Sequence, residues 1–110
     1  MKFLCLVYLD RGLTPGPDVM AQYQVLGQAM RDGGVFVDSG QLADSSASKT
    51  VRVADGDSTV VDGPSSGNRG ATPSPAAYFL LDCAGVDDAL EWAARIPAAT
   101  YGSIEVRPAH

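Results

Sequence analysis

Residues 2–9 form a near-continuous apolar run, and this feature does most to limit what the chain can fold into. A run this short that is hydrophobic on both sides is typical of a strand in the middle of a sheet, with both faces covered. Residues 78–81 show a second buried-strand pattern. The 110-residue length fits one domain over 1–110, so few elements are available to cover such a sheet.

Two amphipathic helices are predicted. The first starts near Asp18 and ends at Gly33-Gly34, and its apolar face is formed by Val19, Tyr23, Leu26 and Met30. The second covers residues 86–96 and is stopped by Pro97. Its apolar stripe is formed by Val86, Ala89, Leu90, Ala93 and Ile96.

Shorter strands and turns fill the rest of the chain. Residues 35–37 indicate a short strand that runs into a turn at 38–40, and residues 103–106 indicate the last strand. Residues 50–53 and 58–61 flank Asp55-Gly56, which is a strong β-hairpin signal. Residues 63–75 are rich in glycine, proline and serine, and they predict a mobile surface loop.

The order of these elements predicts an α+β fold. Without the hairpin it is βαββαβ, the ferredoxin-like pattern, so the chain is a ferredoxin-like βαββαβ domain with an extra β-hairpin. Two helices cover only one face of such a sheet. The other face holds Leu4 and Leu6 with Phe79 or Leu81, or their alternates, and a homodimer would bury it.

The charge balance argues against two classes of partner. The formal net charge is −5 and the eight basic residues are scattered, so neither nucleic acid nor an anionic membrane surface is an expected partner. The apolar N-terminal run is too short for a signal peptide or a membrane span, which favours a cytoplasmic protein. Cys5 and Cys83 lie in strand-like surroundings and are expected to be buried thiols.

No cofactor is expected. Two isolated cysteines and one terminal histidine, His110, cannot build a zinc site of the usual spacing. Gly63, Gly67 and Gly70 match neither a phosphate loop nor a dinucleotide fingerprint, because the spacing and the following helix are absent.

Several segments resemble the DGPF/YCII-related family. Residues 60–64 are similar to its Asp-Gly-Pro-Phe signature, and the similarity extends to residues 1–4, 78–82, 88–97 and 101–108. The resemblance implies a ferredoxin-like subunit in a dimeric α/β barrel. It also implies poorly defined chemistry: some relatives are small cofactor-free enzymes, including a lyase that removes chloride, and others accompany sigma factors.

The chain departs from the family pattern at two places. Residues 65–70 replace the Phe, small residue, Glu, Thr, Lys and Glu that continue the signature in the family. Tyr23 takes the place of a histidine on the first helix, and Asp32 lies near the place of its aspartate partner. The acid/base dyad that the resemblance implies is therefore not reproduced.

Carboxylates and tyrosines are the expected groups for acid/base chemistry. The only histidine, His110, is the last residue, and chain ends are usually poorly ordered. The predicted catalytic residues are Tyr8, Tyr23, Asp38 and Asp62. The predicted substrate-binding residues are Asp10, Arg69 and Tyr78. Each also has a structural interpretation: the aspartates could cap turns, and Tyr8 and Tyr23 could be packed rings.

Two functional hypotheses follow. In the first, the protein is a small cofactor-independent enzyme that acts on an apolar or aromatic metabolite as a lyase, isomerase or cyclase, with secondary metabolism as a candidate setting. In the second, it is a non-catalytic dimer that binds a small molecule or accompanies another protein.

Overall fold

A computed structural model describes residues 1–10, 16–65 and 74–110. The chain forms two compact units, one made of Met1–Gln41 with Pro75–His110 and one made of Leu42–Ser74. The single domain over 1–110 stays a prediction. The elements in chain order are β1 (Lys2–Leu9), α1 (Val19–Asp32), β2 (Phe36–Gln41), a 3₁₀ turn (Ser45–Ala47), β3 (Lys49–Ala54), β4 (Asp57–Asp62), β5 (Ala77–Asp82), α2 (Val86–Ala94), a 3₁₀ turn (Pro97–Thr100) and β6 (Gly102–Ala109).

The larger unit contains a four-stranded antiparallel sheet in the order β2-β5-β1-β6. One face of this sheet carries the core. Phe3, Cys5 and Val7 of β1 are at most 1% exposed, and they cluster with buried residues of β5 and of both helices. Both helices therefore cover the same face. The predicted ferredoxin-like α+β fold is confirmed.

The helices follow their predicted patterns with one difference. In α1, Leu26 and Met30 are buried, and the helix ends at Asp32, with Gly33 as its C-cap and Gly34 (φ 72°) following. In α2, the small residues Ala89 and Ala93 make the buried contact, whereas Val86 and Leu90 are 49% and 50% exposed. The buried stripe of α2 is thus narrower than the sequence pattern indicated.

The second face of the sheet carries an apolar strip. Leu4 and Leu6 of β1 and Leu80 of β5 are half-buried there, although the helices lie on the opposite side. The register pairs Leu4 with Leu80 and Leu6 with Tyr78, and residues paired across strands share a face. The tertiary structure thus assigns Phe79 and Leu81 to the core and their alternates to the second face.

Strand β2 contradicts the predicted turn at residues 38–40. The strand runs over Phe36–Gln41, with a register shift between Phe36 and Asp38, so Asp38 lies within an edge strand opposite Leu80. Gly40, which resembled a turn signal, faces the ring of Tyr78. A Cβ at Gly40 would lie 2.8 Å from Tyr78 Cε1. Glycine is therefore needed here for the close approach of a ring.

The smaller unit contains the predicted hairpin, which is confirmed. Strands β3 and β4 pair antiparallel around Asp55 (φ 53°) and Gly56 (φ 81°), the conformation of a type I′ turn. Nearly all its side chains are exposed, including Val51 and Val60 at 62% and 61%. Residues 66–73 of the predicted mobile loop lie outside the described residues.

Candidate functional site

A tyrosine and an aspartate meet at one edge of the second face. The Tyr78 hydroxyl on β5 donates a hydrogen bond to Asp38 Oδ2 on β2, at 2.9 Å. This contact raises the pKa of Tyr78, chiefly through the hydrogen bond to Asp38, with burial and the charge of Asp38 adding to it. Tyr78 therefore keeps its proton at neutral pH, and the second oxygen of Asp38 can accept another donor.

This pair borders the apolar strip of Leu4, Leu6 and Leu80. The register places Asp38, Leu80 and Leu4 in one row across three strands. A flat apolar molecule bound at the Asp38 end of this row would contact Leu80 and reach the carboxylate and the phenol. Ligand sites commonly combine an apolar surface with a few polar groups in this way.

The opposite edge of the same face carries an ion pair on β6. Arg107 Nε donates to Glu105 Oε2, and this hydrogen bond is the main cause of the raised pKa of Arg107. Tyr8 is half-buried on this face, opposite Ser103, and Arg107 lies near enough for Tyr8 to act on its pKa. Arg107 pairs with Leu4 across the sheet, so it continues the row that starts at Asp38.

Tyr23 lies on the core side of the sheet, away from the Asp38–Tyr78 pair. Its ring stacks on Phe79, with centroids 6.3 Å apart and planes 7° from parallel. Burial raises the pKa of Tyr23 to about 12; a hydrogen bond with Tyr101 and the charge of Tyr101 add to this, and a backbone hydrogen bond from Ala98 opposes it. Tyr23 is therefore protonated at neutral pH.

The other predicted site residues are dispersed. Asp10 is exposed at the end of β1, where its N–H donates to the Tyr101 carbonyl at 3.4 Å. Asp62 belongs to the smaller unit and accepts a hydrogen bond from Lys49 Nζ at 2.6 Å, an exposed ion pair at the base of the hairpin. Arg69 lies outside the described residues. Of the six predicted residues that the structure describes, only Asp38 and Tyr78 are hydrogen-bonded to each other.

The two cysteines are free and buried. Burial, with a smaller effect from Cys83, raises the pKa of Cys5 to about 11, so it is a thiol at neutral pH and a poor nucleophile. Within residues 1–10, 16–65 and 74–110, no three His, Cys, Asp or Glu side chains come together to hold a metal ion. Over the same residues, no helix has the length and apolar character needed to span a membrane.

Sequence reasoning missed Arg107 and Gly40. The alternation of Ile104 and Val106 with Ser103, Glu105 and Arg107 was visible, and it assigns the charged residues to one face of β6. Which residues of the other strands share their row depends on register, which the pattern alone does not specify. Gly40 gave a turn signal, and only the position of the Tyr78 ring explains it.

The sheet order, with both helices on one face, defines a ferredoxin-like α+β protein whose second face bears an apolar strip between two polar edges. The chain belongs to the YCII-related domain family, whose model matches residues 1–109. It is also similar to an uncharacterized protein of Rhizobium meliloti (strain 1021), with 28% identity over 116 residues, covering 98% of this chain and 91% of the relative.

Proposed function

We propose that the protein is a small cofactor-independent enzyme that performs acid/base chemistry on an apolar or aromatic metabolite at the Asp38–Tyr78 pair. The observation that carries the proposal is the 2.9 Å hydrogen bond between these side chains at the border of the apolar strip. Asp38 is the general base, and Tyr78 orients its carboxylate by donating the phenolic O–H to Oδ2. A lyase, isomerase or cyclase reaction needs no more than such proton transfers.

The proposal includes a homodimer formed through the second face. Leu4, Leu6 and Leu80 form a contiguous apolar surface on a sheet whose helices lie on the other side. Covering it with a second copy removes this surface from water and turns the Asp38–Tyr78 pair toward an enclosed site, where hydrogen bonds are stronger. Free, buried thiols at Cys5 and Cys83 suit a reducing compartment, and we propose a cytoplasmic location.

The first test is a thermal-shift screen of the purified protein against apolar and aromatic metabolites, followed by product analysis of each hit. A ligand at one hundred times its dissociation constant adds about 2.7 kcal/mol of stability, a shift of several degrees for this chain length. With a turned-over substrate in hand, Asp38→Asn is expected to lower kcat/KM at least about 100-fold. Tyr78→Phe is expected to lower it less, because the carboxylate survives.

Asp57→Asn is the matched control. It makes the same chemical change at an exposed position of the hairpin and is expected to leave turnover unchanged. Full turnover in both Asp38→Asn and Tyr78→Phe would rule out the proposed chemistry.

A second candidate is a non-catalytic ligand-binding or accessory protein. The observation in its favour is Tyr23, which stands where relatives are expected to carry a histidine. The pKa of Tyr23 is about 12, so it stays protonated at neutral pH. A group that does not titrate near pH 7 is a poor proton carrier. Ligand binding without turnover across the metabolite panel would support this candidate, and measured turnover would reject it.

A further inference from the structure

Asp38 and Arg107 occupy the two ends of a single row across the second face. The row reads Asp38 on β2, Leu80 on β5, Leu4 on β1 and Arg107 on β6. Its charges are opposite and its middle is apolar. Three strand spacings separate its ends, roughly 14 Å, so Asp38 and Arg107 of one chain are too far apart to pair with each other.

The row is complementary to a rotated copy of itself. Consider two copies whose second faces meet, with a two-fold axis between the sheets that runs parallel to the strands and lies between β5 and β1. This axis places β2 of one copy over β6 of the other, and β5 over β1. Each residue keeps its position along the strands under this rotation. Asp38 then faces Arg107 of the second copy, and Leu80 faces Leu4. An axis across the strands would instead lay β2 on β2, and Asp38 would face no arginine.

The distances suit this contact. Packed sheets lie about 10 Å apart, a gap that an arginine and an aspartate together can span. Arg107 donates to Glu105 from Nε, and among the described residues no other side-chain partner of its terminal nitrogens is found. Tyr78 occupies Oδ2 of Asp38. A second copy can therefore bring the terminal nitrogens of Arg107 to Oδ1 of Asp38 without breaking either existing bond.

We propose that the protein forms a two-fold dimer in which the partner's Arg107 enters the Asp38–Tyr78 site, so that each site is built from two subunits. This rests on the proposed function in that it concerns the same pair of residues. The added guanidinium supplies donors beside the carboxylate and phenol. The substrate class then narrows to apolar molecules that carry or develop negative charge on oxygen, such as enolisable carbonyl compounds and carboxylates.

Charge reversal in separate subunits tests the contact. In Asp38→Arg homodimers the introduced arginine faces Arg107, and in Arg107→Glu homodimers the introduced glutamate faces Asp38, so both contacts are repulsive. A mixed dimer of the two variants has only attractive contacts. Each variant alone is expected to dimerise at least about tenfold more weakly than the unmodified protein, and an equimolar mixture is expected to recover dimers of mixed composition.

Sedimentation velocity over a concentration series measures the dimer dissociation constants, and native mass spectrometry identifies the mixed dimer. Arg52→Glu on the hairpin is the control for a change of net charge, and it is expected to dimerise as the unmodified protein does. If a reversed variant does not fold, as judged by circular dichroism, Asp38→Asn and Arg107→Gln replace the pair. Each should weaken dimerisation about threefold, and mixing them should favour the mixed dimer slightly, because it retains one intact Asp38–Arg107 contact and neither homodimer retains any.

Three results would each overturn the inference. They are unchanged dimerisation of both charge-reversed variants, no preference for the mixed dimer when these variants are mixed, and an unmodified protein that is monomeric. The turnover of Asp38→Asn separates this result from the proposed function. Selective mixed dimers together with full turnover in Asp38→Asn would keep the assembly and reject the chemistry. Lost turnover together with unaffected dimerisation would do the reverse.

Discussion

Substituting Gly40 by alanine adds a methyl group where the Tyr78 ring lies. The new Cβ would be 2.8 Å from Tyr78 Cε1 and 3.2 Å from both Cζ and the hydroxyl oxygen. Ordinary van der Waals contact begins near 3.4 Å, so the ring has to retreat by about 0.6 Å at its closest atom. The atoms of Tyr78 that lie near Gly40 are at the far end of its side chain, which can move more cheaply than the strand.

That displacement is enough to break the contact with Asp38. The hydrogen bond is 2.9 Å long, and a retreat of about 0.6 Å directed away from Asp38 would lengthen it to about 3.5 Å, where a hydrogen bond is weak. Because this bond is the main cause of the raised pKa of Tyr78, Gly40→Ala is expected to bring that pKa back toward its ordinary value. Turnover of any substrate is expected to fall about as far as it does in Tyr78→Phe.

The assay is an NMR pH titration of ¹³C-labelled tyrosine, with the Tyr78 signal assigned from Tyr78→Phe. The double variant Gly40→Ala/Tyr78→Phe is the control, because Gly40→Ala should cost no further activity once the hydroxyl is absent. An unchanged Tyr78 titration in Gly40→Ala would refute the reasoning, since the ring would then tolerate the methyl group without leaving Asp38.

Two further substitutions probe the scaffold. The pKa of Tyr23 is about 12 in the folded protein and about 10 when unfolded. The protonated phenol therefore stabilises the fold fully below pH 10, and this stabilisation is lost as the pH rises to 12. Because the side chain is partly exposed to solvent, we expect the free energy of unfolding to fall by about 1 to 2 kcal/mol over this range. In Tyr23→Phe, the free energy of unfolding in urea is expected to fall less between pH 10 and 12 than in the unmodified protein. An equal fall in the two proteins would contradict this expectation. Gly102→Ala drives a Cβ into the Tyr8 carbonyl oxygen, which is backbone and cannot yield, so we expect a loss of about 3 kcal/mol at pH 7. Gly85→Ala is its control, because no atom lies within 4 Å of the added carbon; equal stability of these two variants would contradict the expectation.

Much of the architecture was predictable because it depends on local patterns. The spacing of Leu26 and Met30 predicted the buried face of α1, and Asp55-Gly56 predicted a hairpin that the positive φ angles confirm. Both signals act within a few residues, through helix geometry and turn sterics. The order of elements then predicted the ferredoxin-like fold.

The candidate site depended on information that is not local. Asp38 looked like a turn residue beside Gly40, but both belong to an edge strand because they pair with the distant segment β5. The Tyr78 ring of β5 lies against Gly40. The choice between Phe79 and Leu80 for the second face depends on a one-residue difference in register. The alternation of residues, the ends of the helices and the residue types available for chemistry all follow from local sequence. The row of Asp38, Leu80, Leu4 and Arg107 follows from the folded sheet, because strand register is set by packing between distant segments.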